Sequence, residues 1–141
     1  MQTIRVLGFG VLVLVLGMVM LALGQGPNPE KAKRLGLPEG TVQVSACVPG
    51  MGEHWAKPPD LPFGPIYGVM GERLVFVEIM VAQSDFAAGK SWRDLLKPLK
   101  GYAIDHVDVE FEPQGHEGYP VPHYDIHAYF VPHAEHLGYC P

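Results

Sequence analysis

Histidines and carboxylates crowd into one stretch of this chain, residues 104–130, which reads IDHVDVEFEPQGHEGYPVPHYDIHAYF. His106, Asp108 and Glu110 alternate with Val107, Val109 and Phe111. After a Gly/Pro-rich loop, His123, Asp125 and His127 alternate with Tyr124, Ile126 and Ala128. Imidazole and carboxylate together are ligands for divalent transition metals such as zinc, manganese or iron, and they also serve as general acids and bases. A period of two predicts that each polar triplet occupies one face of a β-strand and each apolar set the other. Positions two apart on a strand are ~6.7 Å apart and positions four apart ~13 Å. His123 and His127 therefore do not share one ion on a regular strand, whereas Asp125 can join either.

If the two runs pair antiparallel, the natural register sets His106 opposite His127, Asp108 opposite Asp125, and Glu110 opposite His123. Two facing carboxylates repel unless one is protonated or a cation lies between them. The plainer reading is a solvated outer sheet face, on which alternating His and Asp are hydrogen-bonded pairs or an oligomer contact. No C-x-x-C, H-E-x-x-H or cupin-type G-x(5)-H-x-H pattern is present, so no strong metal motif decides between them. Two further positions join the candidates. Glu78 is a lone carboxylate in the apolar run RLVFVEIMV, costly to bury unless paired, hydrogen-bonded or bound to a cation. His54, in Gly52-Glu53-His54-Trp55, could bring an imidazole over the sheet as a ligand or base; otherwise Trp55 simply anchors a loop. His116 and Glu117 in the 113–122 loop offer more of the same chemistry in a flexible setting.

The elements that must position these groups are short. Residues 41–47 alternate Val42 and Val44 with polar neighbours and predict a first strand. Residues 48–65 carry five prolines and read as a long loop. Residues 66–69 and 73–81 predict a hairpin turning at Gly71, its second arm a central strand covered on both faces. Ser91 is placed as the N-cap of a helix over 92–96, ended by Pro98, after a shorter turn over 85–88. The expected architecture is α+β, a mostly antiparallel sheet of about five strands with one or two short helices.

Residues 1–24 combine Arg5, an 18-residue apolar run from Val6 to Leu23, and a small-residue end, the three parts of a secretory signal peptide. The alternative is an uncleaved anchor, for which the run is at the short edge. In either case the rest is exported, periplasmic or extracellular, with no stable membrane insertion once the segment is cleaved. Residues 25–40 read as a linker, with a helical turn over 30–35, and residues 41–141 as a single domain. The net charge of −5 gives no electrostatic reason to bind nucleic acid. One asparagine and many loop prolines lean towards a thermophilic source. Cys47 and Cys140 in an oxidising compartment predict a disulfide, worth about 4 kcal/mol for so long a loop; two thiols are the alternative.

The motifs CVPGMGEHW, VEIM, DHVDVEF and PHYDIHAYFV resemble a small bacterial family of exported domains of unknown function, whose type member is a secreted Thermus protein. The resemblance spans about residues 41–132. It implies an α+β protein that forms a higher-order homo-oligomer, a decamer being the size implied, with no assigned reaction and no catalytic residues to transfer. Two functional readings remain. One is a non-enzymatic exported protein that assembles with itself and binds a metal or small ligand through His54, Glu78, His106, Asp108, Glu110, His123, Asp125 and His127. The other is a cupin-like metal-dependent oxygenase or hydrolase, with Glu53 or Glu110 as general base. The first is favoured because no motif specifies a reaction.

Overall fold

The computed structural model describes residues 28–141, and the expected signal segment lies outside the described residues. Six strands form one antiparallel sheet: β1 Val42–Val48, β2 Gly52–Ala56, β3 Ile66–Met70, β4 Arg73–Ala82, β5 His106–Glu112 and β6 His123–Tyr129. Their order across the sheet is β1-β2-β3-β4-β6-β5. Three short helices, α1 Pro29–Arg34, α2 Gln83–Ala87 and α3 His133–His136, complete the α+β fold. The strand beyond the expected five is β2, inside the segment read as loop. Gly50 and Gly52 take φ of 73° and 95° to reverse the chain after β1. A Cβ on Gly52 would sit 2.5 Å from the Val69 carbonyl oxygen, so glycine lets β2 start hard against β3.

The hairpin of β3 and β4 turns at Gly71-Glu72, with Met70 opposite Arg73 and Gly71 at φ 63°. Residues Leu74 to Val81 of β4 are all buried, as a strand at the middle of the sheet requires. One sheet face packs Trp55, Tyr67, Val69, Val77 and Ala128 on Ala32, Leu35 and Leu37 from α1 and the turn after it. Asn28 caps α1 by accepting from the Lys31 amide at 3.0 Å. Trp55 is fully buried, and truncating such a side chain costs ~3–5 kcal/mol.

The helix expected over 92–96 does not form. Asp94 and Leu96 have φ of 65° and 55°, which breaks any helical run. The segment instead lays Leu96, Leu99 and Tyr102 against the core beneath the sheet, so tertiary packing overrides the capping signal. The short turn expected before it is realised as α2. Cys47 of β1 and Cys140 are joined by a disulfide, with Cα atoms 5.9 Å apart. The Gly50 amide donates to the Tyr139 carbonyl at 2.8 Å, so the C-terminal segment lies along the β1–β2 turn.

Candidate metal centre

The two alternating runs pair as expected, but two residues out of the expected register. His106 faces Tyr129, Asp108 faces His127, Glu110 faces Asp125 and Glu112 faces His123. Asp108 and Asp125 are thus not opposed. A one-residue slip would move every side chain to the other face, but a two-residue slip leaves each on the face it had. The sequence period is blind to it. Glu112 joins β5 and shortens the connecting loop, which closes through the Gly115 amide on the Glu112 carbonyl and a His116–Tyr119 bridge.

The burial of the two faces is the reverse of a solvated polar face. His123 and His127 are 0% exposed and Asp125 6%, while Val107, Val109 and Phe111 are 51, 60 and 41% exposed. Two small apolar clusters share this face with the polar residues. Val75, Phe76, Tyr129 and Val131 pack with Met51 and Tyr139; Ala56, Ile66 and Met80 pack with Tyr119. Between and beside these clusters, all seven histidines of the chain fall into three groups with carboxylates, each compact enough to hold a metal ion.

The first group is His116, His123 and Asp125. His123 Nδ1 donates to the Val121 carbonyl at 2.6 Å, and His116 Nδ1 donates to the Glu117 carbonyl at 2.8 Å. A carbonyl oxygen can only accept, so both neutral rings carry their proton on Nδ1 and a lone pair on Nε2. Those two Nε2 atoms nevertheless lie 3.1 Å apart. Asp125 Oδ1 is 3.0 Å from His123 Nε2, and Oδ2 is 3.7 Å from His116 Nε2. The short Asp125 contact is poorly angled, and buried Oδ1 has no hydrogen-bond partner. Four acceptors therefore converge on one point, which needs either a shared proton or a cation. Ligand atoms on a zinc-sized ion are ~3–3.4 Å apart, close to the spacing found.

The second group is His54, Glu78 and His127. Strand register places Glu78 directly opposite His127. His54 lies opposite Gly68, which in turn faces Phe76. Gly68 contributes no side chain, and a Cβ there would meet the Phe76 ring at 2.2 Å. The Phe76 ring so admitted stands edge-on to both His54 and His127. A β1 irregularity between Gln43 and Cys47 brings Ser45 Oγ to 3.0 Å from His54 Nδ1. Ser45 gives its own proton to the Ala46 carbonyl, so His54 donates through Nδ1 and keeps its Nε2 lone pair inward. Nε2 of His54 is 3.8 Å from one Glu78 oxygen and Nε2 of His127 is 3.4 Å from the other. These separations exceed hydrogen bonds, and neither buried ring nitrogen of His127 has a partner.

Burial governs the charges here. It pushes the Glu78 carboxyl well above its usual range, helped by Asp125 and Glu110. It lowers His54 to about 4, with His116 adding to the shift, and His127 to about 3, with His54 and His136 adding. Left to itself, the group holds two neutral imidazoles at neutral pH, and burial favours the protonated form of the Glu78 carboxyl. A dication inverts that preference for Glu78, since it favours the carboxylate. Glu110, with Oε2 3.6 Å from His127 Nδ1, borders the group from β5. Its carboxyl is also raised by burial and by Asp108 and Asp125.

The third group, His106, Asp108, His133 and His136, sits where β5 meets α3. Of the eight candidate residues, seven fall in one of the three groups and Glu110 borders one. Glu53, named as a possible base, points to the opposite sheet face. It accepts from the Trp55 indole at 3.1 Å and pairs with Lys31 at 2.9 Å, so it takes no part. The ligands that strand periodicity missed are His116, His133 and His136. They come from a loop and a tail that periodicity does not describe; their one signal is that six of seven histidines lie within residues 106–136.

No family model matches the sequence, and no match was found among curated proteins. Among solved structures, the chain is similar to the crystal structure of a hypothetical protein, TTHB210, from Thermus thermophilus. The identity is 28% and the TM-score 0.56, over 64% of this chain and 86% of that one. A Thermus protein described as hypothetical agrees with the resemblance carried by the motifs, and it transfers no site residues.

Proposed function

We propose that this is an exported protein that assembles with itself and binds divalent transition-metal ions through the His116–His123–Asp125 and His54–Glu78–His127 groups. The observation that carries the reading is the pair of Nε2 lone pairs 3.1 Å apart beside Asp125, each ring held by a carbonyl on its other nitrogen. Metal-binding histidines characteristically have such an outer partner fixing the tautomer. Two imidazoles and one carboxylate suit zinc, manganese or iron. Export is supported by the apolar N-terminal segment and by the disulfide; no helix among the described residues is long and apolar enough to cross a membrane. Self-assembly is supported by β5, an edge strand with Val107, Val109 and Phe111 exposed, continued by exposed Phe86 against Tyr124 and Trp92. An open edge beside an apolar patch calls for a partner.

Three protein ligands leave coordination positions open, and that observation favours a second reading, a metal-dependent oxygenase or hydrolase. The single six-stranded sheet departs from the two-sheet jelly roll of cupins. A surface depression of about 490 Å³ lies by α1 and residues 36–42 and touches none of the three groups. Binding without turnover is preferred because no sequence motif specifies a reaction. The test is metal content by mass spectrometry on residues 25–141 purified without a His-tag. At least one equivalent of zinc, manganese or iron per chain is expected, falling in Asp125→Asn and in Glu78→Gln. No metal, and none taken up on addition, would overturn the proposal; dioxygen uptake or hydrolysis by the loaded protein would favour the enzyme.

A further inference from the structure

The two groups above each offer three ligands. The third offers four, and it joins parts of the chain that are far apart in sequence. His106 and Asp108 sit two apart on β5, on one face; His133 and His136, three apart on α3, share one side of that turn. His136 is 3% exposed, and its Nδ1 donates to the Gly50 carbonyl at 2.8 Å. His106 Nδ1 is committed to Asp105 Oδ1 at 2.9 Å. Both rings are thereby fixed with Nε2 facing the group. His106 Nε2 is buried with no hydrogen-bond partner and lies 3.8 Å from Asp108 Oδ2. His133 Nδ1 is 3.2 Å from His136 Nε2 and 3.6 Å from Asp108 Oδ2. The Tyr129 ring stacks on His136 with centroids 3.9 Å apart and on His106 at 4.9 Å, both nearly parallel, which holds the two planes in place.

We infer that His106, Asp108, His133 and His136 form a closed four-ligand zinc site that clasps the C-terminal segment onto β5. Zinc in sites that stabilise a fold is four-coordinate and tetrahedral, with bonds of ~2.0–2.1 Å that place ligand atoms ~3.3 Å apart. The distances of 3.2, 3.6 and 3.8 Å reach that geometry with small side-chain movements. Three neutral imidazoles and a carboxylate leave no position for water or substrate, so the ion acts on stability and not on chemistry. A simple hydrogen bond from His133 to His136 would account for one of these contacts. It would leave His106 Nε2 orphaned and Asp108 beside two rings without a proton between them. The site shares no ligand with the two inner groups and does not depend on the function proposed for them.

The test uses the full chain, expressed in an exporting host and recovered as that host processes it, stripped of metal and titrated with zinc and with cobalt. The variants are His133→Gln, at a position whose side chain is 59% exposed, and Asp108→Asn. Each is expected to bind one zinc fewer per chain than the wild type and to lose the intense visible absorption of four-coordinate cobalt. Zinc is expected to slow hydrogen exchange at residues 133–139 in the wild type and to leave it unchanged in both variants. Equal zinc stoichiometry in wild type and variants, or tail exchange indifferent to zinc, would overturn the inference. Glu78→Gln and Asp125→Asn separate the two proposals. If they bind as much zinc as the wild type while His133→Gln binds one fewer, the clasp stands and the proposed function falls.

Discussion

Glu78 gives the sharpest quantitative handle on this protein. Its carboxyl is 3% exposed, faces His127 across the β4–β6 ladder, and keeps its proton well above the ordinary carboxylate range because burial opposes ionisation. In the unfolded chain it ionises near 4.5. Below that pH both states hold the proton and Glu78 contributes nothing pH-dependent. Above it the unfolded state has released the proton while the folded state still holds it, so stability falls as pH rises until the folded pKa is passed. One proton of difference is about 1.4 kcal/mol per pH unit. Glu78→Gln keeps the shape of the protonated acid and removes the titration. Denaturant unfolding of metal-free wild type and variant at pH 5.5 and 7.5 should therefore show the wild type losing stability relative to the variant as pH rises, by at most about 2.7 kcal/mol over the two pH units. The comparison cancels the two buried histidines, which are common to both proteins. Zinc should abolish the slope in the wild type, because the metal holds Glu78 as carboxylate, and its uptake should release a proton at this group. A stability gap that is the same at both pH values would refute the buried, protonated Glu78 and with it the electrostatics of the group.

Three other outcomes are expected. Gly68→Ala pushes a methyl into the Phe76 ring and should cost about 1–3 kcal/mol while weakening metal uptake at His54 and His127, measured by thermal melting and zinc titration. If the proposed self-assembly runs through the exposed face of β5, Val109→Asp should lower the mass seen in light scattering with little change in monomer stability. Cys140→Ser should lower stability by about 4 kcal/mol in denaturant titration, and an unchanged midpoint would mean that the disulfide is not formed in solution.

Periodicity carries its information in pairs and nearest neighbours, and the outcome follows that limit. The alternation in residues 106–111 and 123–128 placed His106, Asp108, His123, Asp125 and His127 on one face, and the lone Glu78 in an apolar run flagged the buried acid. Alternation cannot distinguish the observed register from one two residues away, because that slip keeps every side chain on its own face. β2 leaves no periodic signal because its strand is only five residues long and sits among prolines and glycines; its pairing is licensed by Gly52 packing on Val69, a contact that only the fold provides. The capping signal at Ser91 lost to the burial of Leu96 and Leu99. The sign of the sheet faces was also hidden. Pattern says which residues share a face, not which face is covered, and here the loop carrying His116 and Tyr119 and the tail carrying His136 and Tyr139 cover the polar one.

The sheet order has a bearing on how the three histidine–carboxylate groups come into being. β5 hydrogen-bonds only to β6, and residues 113–122 join the two, so they form a hairpin whose closure is local and costs less loop entropy than long-range pairing. His116, His123 and Asp125 all belong to that hairpin, within about ten residues of one another. His54, Glu78 and His127 come from β2, β4 and β6, and meet only when the hairpin docks on the far edge of β4. The first group thus matures with a local element and the second with the long-range topology, which is the slow part of folding. Metal supplied to a nascent chain would meet the hairpin group first, and could hold a partly folded chain as well as a finished one.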